Sequence, residues 1–294
     1  MIVFDHKTEL YWAKRYRQFH ATSGKTNGAY TYSQEIVKYQ VPVLEKLLKD
    51  KHAFVFTVGH SFDYKLTGHP IVINYLHEAF PREKDRIVRS ITRNNTPHIW
   101  ITGRYKDSLI IKQYYGKCIF LPMSIDADYV RSFATDKPKF TDRIIFFGNT
   151  YFNKRATEPM LRAFFKKLNI KVDSIANNIY TPEGEKPILL TREAVLRVLS
   201  HYKYGIGSEK CALEMYALGL KVLLSGEKFC GIITNEEDFQ KHMKTNFCVT
   251  PAEGVVTFSS DIKKCWDNIE SSLTKTVDSK DVLPILESEL KQYL

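Results

Sequence analysis

Apolar residues in this chain come in short bursts, set between longer amphipathic stretches. Runs at 54–58 (Phe-Val-Phe-Thr-Val), 71–76 (Ile-Val-Ile-Asn-Tyr-Leu), 98–102 and 118–122 have the length and continuity of parallel strands buried on both faces. Segments 32–50 and 105–115, between them, read as helices. In the second half, 143–148 is a strand ending in glycine, 156–168 a helix and 171–175 a strand. Thr191 is a good N-cap for a helix carrying Val195, Leu196 and Leu199, with Glu193 in its first turn. Residues 204–207 form a short strand and turn. The stretch 207–222 then reads as a loop, a short helix containing Glu214, a glycine stop at Gly219, and the buried strand Val222-Leu223-Leu224. The last segment, 281–294, has Leu283, Leu286, Leu290 and Leu294 at helical spacing and Pro284 near its start, an amphipathic helix that must dock somewhere.

Strands alternating with helices in two blocks predict an α/β protein of two doubly wound, Rossmann-like domains. The polar, proline-bearing stretch 135–142 is the expected linker. It sets one domain at 1–136, completed by a returning helix within 275–294, and the other at 137–274. A length of 294 residues suits two cores better than one. No run of about 18 apolar residues is present, and Met1-Ile-Val-Phe-Asp-His lacks the basic flank and apolar core of a signal peptide. Five cysteines, odd in number and without Cys-x-x-Cys spacing, fit reduced thiols in a cytoplasmic protein and argue against structural zinc. The net charge is +10, and 20 Lys and Arg against 13 Asp and Glu fall in residues 1–136. A polyanionic partner for the first domain follows from that excess, either nucleic acid or an anionic lipid surface.

Four constellations suggest chemistry. Phe147-Gly148-Asn149-Thr150-Tyr151-Phe152-Asn153-Lys154-Arg155 is a strand-to-helix glycine loop followed by two cations, an arrangement suited to a diphosphate. His77 ends the apolar run 71–76, and His60 ends the run before it; ligands in parallel sheets sit beyond such strand ends. Glu214, in the 207–222 segment, can present an acid to a ribose. Arg82, Arg86, Arg89 and Arg93 recur at i, i+4, i+7 and i+11, one face of a helix and a track for phosphates. The same four arginines equally describe a solvated helix face.

The order of these segments resembles the retaining nucleotide-sugar glycosyltransferases of the GT-B fold. Glu-Met-Tyr-Ala-Leu-Gly-Leu-Lys-Val, starting at Glu214, is similar to that family's E-A-M-A-x-G-x-P-V. Gly148 and Lys154 match its G-R-x-x-x-x-K-G loop, with Asn149 in place of the arginine and Arg155 in place of the second glycine. His77 resembles the histidine of its T-x-H strand end, with His60 as the rival, and Leu121-Pro122-Met123-Ser124-Ile125-Asp126 resembles its I-P-N-G-V-D turn. Thr26-Asn27-Gly28-Ala29-Tyr30 is weakly similar to its acceptor-side glycine loop. The family's E-x7-E is broken, because Ile206 stands eight residues before Glu214. Asp126-Ala127-Asp128 has D-x-D spacing but lies in the turn just named, so no metal site is expected.

The resemblance implies transfer of a sugar from a nucleoside diphosphate sugar, most simply a UDP-sugar, with retention and without a metal or other cofactor. It places Gly148, Asn149, Lys154 and Arg155 at the diphosphate and Glu214 at the ribose. Ser208, Glu209 and Lys210 are left as candidates for the donor sugar, and His77 lies near the reacting centre. Small basic members resemble phage DNA glycosyltransferases, which implies a hydroxymethylated base in double-stranded DNA as acceptor, reached by base flipping. Two alternatives stay open: a bacterial glycan or lipid-linked saccharide transferase in peripheral contact with a membrane, and a non-catalytic nucleic-acid-binding protein on the same scaffold.

Overall fold

The computed structural model describes residues 2–4, five positions between 39 and 46, 54–58, 71–76, 98–136, 140–148, 158–226, 230–247 and 258–293. The chain divides into two compact units. The first holds the early strands and Lys280–Leu294; the second holds Met123–Ser279.

Five strands form the first sheet: β1 (Ile2–Phe4), β2 (Phe54–Val58), β3 (Ile71–Leu76), β4 (His98–Thr102) and β5 (Cys118–Phe120). All neighbours run parallel, in sequence order. The apolar runs become strands because both faces are covered: Ile73, Trp100, Ile101 and Ile119 are fully buried. Tyr39, Gln40, Pro42, Val43 and Lys46, the described part of the stretch 32–50, are helical. Helix α1 (Tyr105–Tyr115) covers the expected 105–115 and ends at Gly116, whose φ of 83° suits a residue without Cβ.

The second unit opens with α2 (Ala127–Arg131), capped by the Asp126 carboxylate, which accepts from the Tyr129 N–H at 3.1 Å. Asp128 pairs with Arg131 at 3.5 Å, so both acids of the D-x-D spacing serve this short helix. Then follow β6 (Phe140–Phe147), α3 (Glu158–Lys167), β7 (Lys171–Ala176), β8 (Ile179–Thr181), β9 (Ile188–Leu189), α4 (Arg192–Leu199), β10 (Tyr202–Gly207), α5 (Glu209–Ala217), β11 (Lys221–Ser225), β12 (Cys230–Gly231), α6 (Glu236–Met243) and α7 (Phe258–Asp267). The Thr191 hydroxyl caps α4 by accepting from the Ala194 N–H, as the sequence requires.

The strand order in this sheet is β12-β11-β10-β6-β7-β8-β9. Its four central strands are parallel; the outer ones pair antiparallel. The result is a mixed α/β architecture with a mostly parallel central sheet, compatible with a Rossmann-like fold. The chain leaves β6 toward β7 and returns on the other side at β10, so the order reverses at β6.

On one face, Ile144, Phe146, Val172, Ile206 and Leu223 pack with Leu161 and Phe165 of α3 and Ile262 of α7. The other face of β10 presents Gly205 and Gly207 to Met215 of α5. Toward the amino ends of the strands, Asp173 is fully buried. Both its oxygens accept from Arg143 at 3.1 Å, Tyr202 donates to Oδ2, and the Glu183 N–H donates to Oδ1 at 2.7 Å. The Tyr202 hydroxyl titrates well above its usual range, because burial and this hydrogen bond both oppose its ionisation. This network joins β6, β7, β10 and the segment leading to β9.

The final helix, α8 (Ser279–Lys291), starts earlier than the sequence suggests, and Pro284 lies inside it rather than near its start. A proline at the sixth position removes one main-chain bond, to Lys280. Burial of Val282, Leu286 and Leu290, at i, i+4 and i+8, outweighs that loss. Residues 280–294 belong to the first unit, where Lys117 Nζ donates to the Tyr293 carbonyl at 3.1 Å and Lys112 pairs with Glu289 at 3.8 Å.

The close approach of α5 to β10 sets a test. A Cβ at Gly207 would lie 2.7 Å from the Phe147 carbonyl oxygen and 2.7 Å from Met215 Cε, whereas one at Gly205 would meet only the side chains of Met215 and Leu220. Gly207→Ala is therefore expected to cost about 3 kcal/mol, at the upper end of overpacking penalties. Gly205→Ala should cost clearly less, because Met215 can change rotamer. Urea unfolding midpoints of the two variants check the order; equal or reversed costs would contradict the packing described.

Candidate functional site

In an open α/β sheet, ligands bind beyond the carboxyl ends of the strands where the order reverses. Here that point lies between β6 and β10. Phe147 is in register with Gly207, so Gly148 and Ser208 leave the sheet side by side. The Gly148 N–H donates to the Ile175 carbonyl at the end of β7, and no described atom lies within 4 Å of where a Cβ would stand.

Helix α5 begins at this edge. Ser208 is its N-cap, buried, with its side chain making no capping hydrogen bond. The first-turn N–H groups of a helix have no partner within the helix and carry partial positive charge. Glu209 has φ +56°, a conformation that a non-glycine residue adopts at a cost. Its N–H donates to the carbonyl of Phe247, itself at φ +56° and preceded by Asn246 at φ +59°. The Phe247 N–H in turn donates to the His242 carbonyl at 2.8 Å, at the end of α6. Two strained backbone stretches therefore brace each other at the helix start. Strain of this kind persists only where surrounding structure enforces it.

Glu214 is the sixth residue of α5, inside the helix rather than at its start, and only 1% exposed. Its Oε1 is shared by Arg192, in short hydrogen-bonded contact, and Lys210, at 3.5 Å. The side chains of these cations are 11% and 16% exposed. Arg192 is the first residue of α4, a helix that descends to the amino end of β10, so its start lies on the same carboxyl edge as α5. Gly219, at φ +86°, ends α5 as its sequence suggests, and β11 follows.

The structure thus brings together Gly148, Ser208, Glu209, Lys210 and Glu214 at the carboxyl edge of one sheet. Asn149, Lys154 and Arg155 continue the chain from Gly148 but lie outside the described residues. So do His77 and its rival His60, and the arginines Arg82, Arg86, Arg89 and Arg93. Arg192 was not singled out from the sequence. Its signal was available, because a cation at the first position of a helix opposes the helix dipole and calls for a carboxylate nearby. Glu209 and Phe247 carry no such signal, since neither residue type favours positive φ.

No protein-family model matches the chain, and no curated protein matches it. The reading of the site therefore stands on its own residues.

His242 supplies a pH test of the brace. It is buried, and its imidazole is pushed down to about 4 by burial, with the Asp238 charge pulling it partly back up. The folded state holds it neutral, while the unfolded chain takes up a proton below about 6.5. The unfolded state then binds more protons, so stability falls as pH drops from about 6.5 toward 4. By pH 5 this group accounts for roughly 2 kcal/mol. Urea unfolding of the parent and of His242→Gln at pH 7.5 and 5 measures it: the parent should lose about that much more than the variant. Equal losses would contradict the assignment.

Proposed function

We propose that this chain is a GT-B-type glycosyltransferase that moves a sugar from a nucleoside diphosphate sugar, most simply a UDP-sugar, to an acceptor hydroxyl. The observation that carries this reading is that α5 opens at the strand-order reversal, directly beside Gly148. That is where an anionic group of a nucleotide is best received, by helix N–H groups on one side and glycine backbone on the other.

In this reading the diphosphate lies across Gly148 and the α5 start, and Asn149, Lys154 and Arg155, which the resemblance assigns to it, follow Gly148 in the sequence. Charge on the diphosphate grows as the bond from the anomeric carbon to phosphate breaks, and Lys154 and Arg155 stabilise that growth. The acceptor oxygen forms the new bond to the same carbon, its proton goes to solvent or the departing phosphate, and nucleoside diphosphate leaves. Ser208, Glu209 and Lys210 are the candidates for holding the donor sugar, and the resemblance assigns His77 to the transferred sugar. Glu214 already holds two cations. Its contact with a ribose therefore requires Lys210, the more distant partner, to turn outward as the donor arrives. For the acceptor we propose a hydroxymethylated base in double-stranded DNA, on the strength of the basic excess in residues 1–136 and the arginine spacing.

Thermal shift with a panel of nucleoside diphosphates and their sugars, on parent and variants, tests the donor site. Removing one partner of a buried ion pair typically costs about 3–5 kcal/mol, so Glu214→Ala should lower the ligand-free Tm sharply. Lys210→Ala should leave it nearly unchanged and weaken donor binding roughly tenfold or more, the loss of one charge-assisted hydrogen bond. If no nucleoside diphosphate raises the parent Tm at millimolar concentration, the reading fails. A Lys210→Ala variant that binds like the parent would remove Lys210 from the site.

A further inference from the structure

A pair of thiols lies apart from the carboxyl-edge cluster and plays no part in the reading above. Cys230, in β12, and Cys265, in α7, have their Sγ atoms 4.0 Å apart although 35 residues separate them in sequence. Both are reduced. Cys230 is 1% exposed and belongs to the apolar core; Cys265 is half-buried and packs against that core beside Trp266. A disulfide requires sulfurs about 2.05 Å apart, so these two Sγ atoms, at 4.0 Å, stand about 2 Å beyond bonding distance.

We propose that Cys230 and Cys265 form a dithiol that closes to an intramolecular disulfide, a redox-sensitive clip between the edge strand β12 and helix α7. A small-molecule disulfide such as oxidised glutathione is the oxidant. Cys265, the more accessible thiol, attacks as thiolate and forms a mixed disulfide, releasing one small thiol. Cys230 then attacks the Cys265 sulfur and releases the second. Two protein thiols are oxidised, one small disulfide is reduced to two thiols, and each protein thiol proton passes to a departing thiolate.

The clip would act on the edge that carries the candidate site. β12 pairs with β11 through Ser225 and Cys230, and β11 lies beside β10 with Leu224 in register with Gly207. β11 therefore ends, at Ser225, on the same edge as Ser208, one strand away. Tying β12 to α7 fixes the strand that pairs with β11 at that end.

The test uses the intact native chain and needs no donor or acceptor, so it stands whether or not the protein transfers sugar. The chain is incubated with oxidised glutathione without denaturant, remaining thiols are alkylated, and the product is mapped by mass spectrometry. The expected result is a loss of about 2 Da, a linked peptide pair containing Cys230 and Cys265, and a Tm rise of about 5 °C that dithiothreitol reverses, as closing a loop of this length implies. Cys265→Ser and Cys265→Ala, at a half-buried position, should show neither the link nor the rise. Both thiols remaining open to alkylation, a link formed by other cysteines, or a variant that gains the same mass loss and Tm rise would overturn the proposal.

Discussion

The arrangement of the second unit depends on one close contact: Met215 seated over Gly205 and Gly207. Any side chain at 207 would press on the Phe147 carbonyl as well as on Met215. The two glycines therefore do two things together. They let β10 lie against β6 in the middle of the sheet, and they let α5 drop onto β10. The direction in which α5 leaves the sheet follows, and with it the place of Ser208, Glu209 and Lys210. Backbone strain at Glu209 is the local cost of that tight departure, and the Phe247 carbonyl holds it in place.

Two buried carboxylates organise opposite ends of the same strands. Asp173, toward the amino ends, is satisfied by Arg143, Tyr202 and a backbone N–H. It joins strands β6, β7 and β10. Glu214 is equally buried, but its partners are two cations at the carboxyl edge, each with part of its side chain exposed. A carboxylate buried with two cations is costly to assemble and costly to break. Such an arrangement suits a site where an incoming anion or hydroxyl can exchange places with one member of the cluster.

Much of the framework was legible in the sequence, for physical reasons. Buried parallel strands must be apolar throughout, which is why 54–58, 71–76, 98–102 and 222–224 read correctly, whereas β6 starts at Phe140, inside the stretch read as linker, because its first half is polar and partly exposed. Helix ends declare themselves through caps, as at Thr191 and Gly219. What could not be read was pairing across the chain. Arg192 meets Glu214 across 22 residues, and Arg143 meets Asp173 across 30. The antiparallel pairing of the short strands β8, β9 and β12 at the sheet edges had no periodic signal to reveal it. The loop and the short helix containing Glu214 read correctly, but nothing in the residue types announced the left-handed backbone of Glu209 where that helix begins. The glycosyltransferase-like order of segments is itself a sequence property. Of those segments, the structure places Gly148 and 208–214 together in the second unit.

The central claim is that the edge formed by Gly148 and the first turn of α5 receives a nucleoside diphosphate. Amide hydrogen exchange of the intact chain, with and without saturating uridine diphosphate, tests it most directly. The account predicts at least about tenfold slower exchange for amides 208–212 and around Gly148, as expected when a bound ligand covers a helix start and stabilises it against local opening. The five-stranded sheet should be unchanged. Protection confined to other segments, or no protection at 208–212 with ligand demonstrably bound, would contradict it.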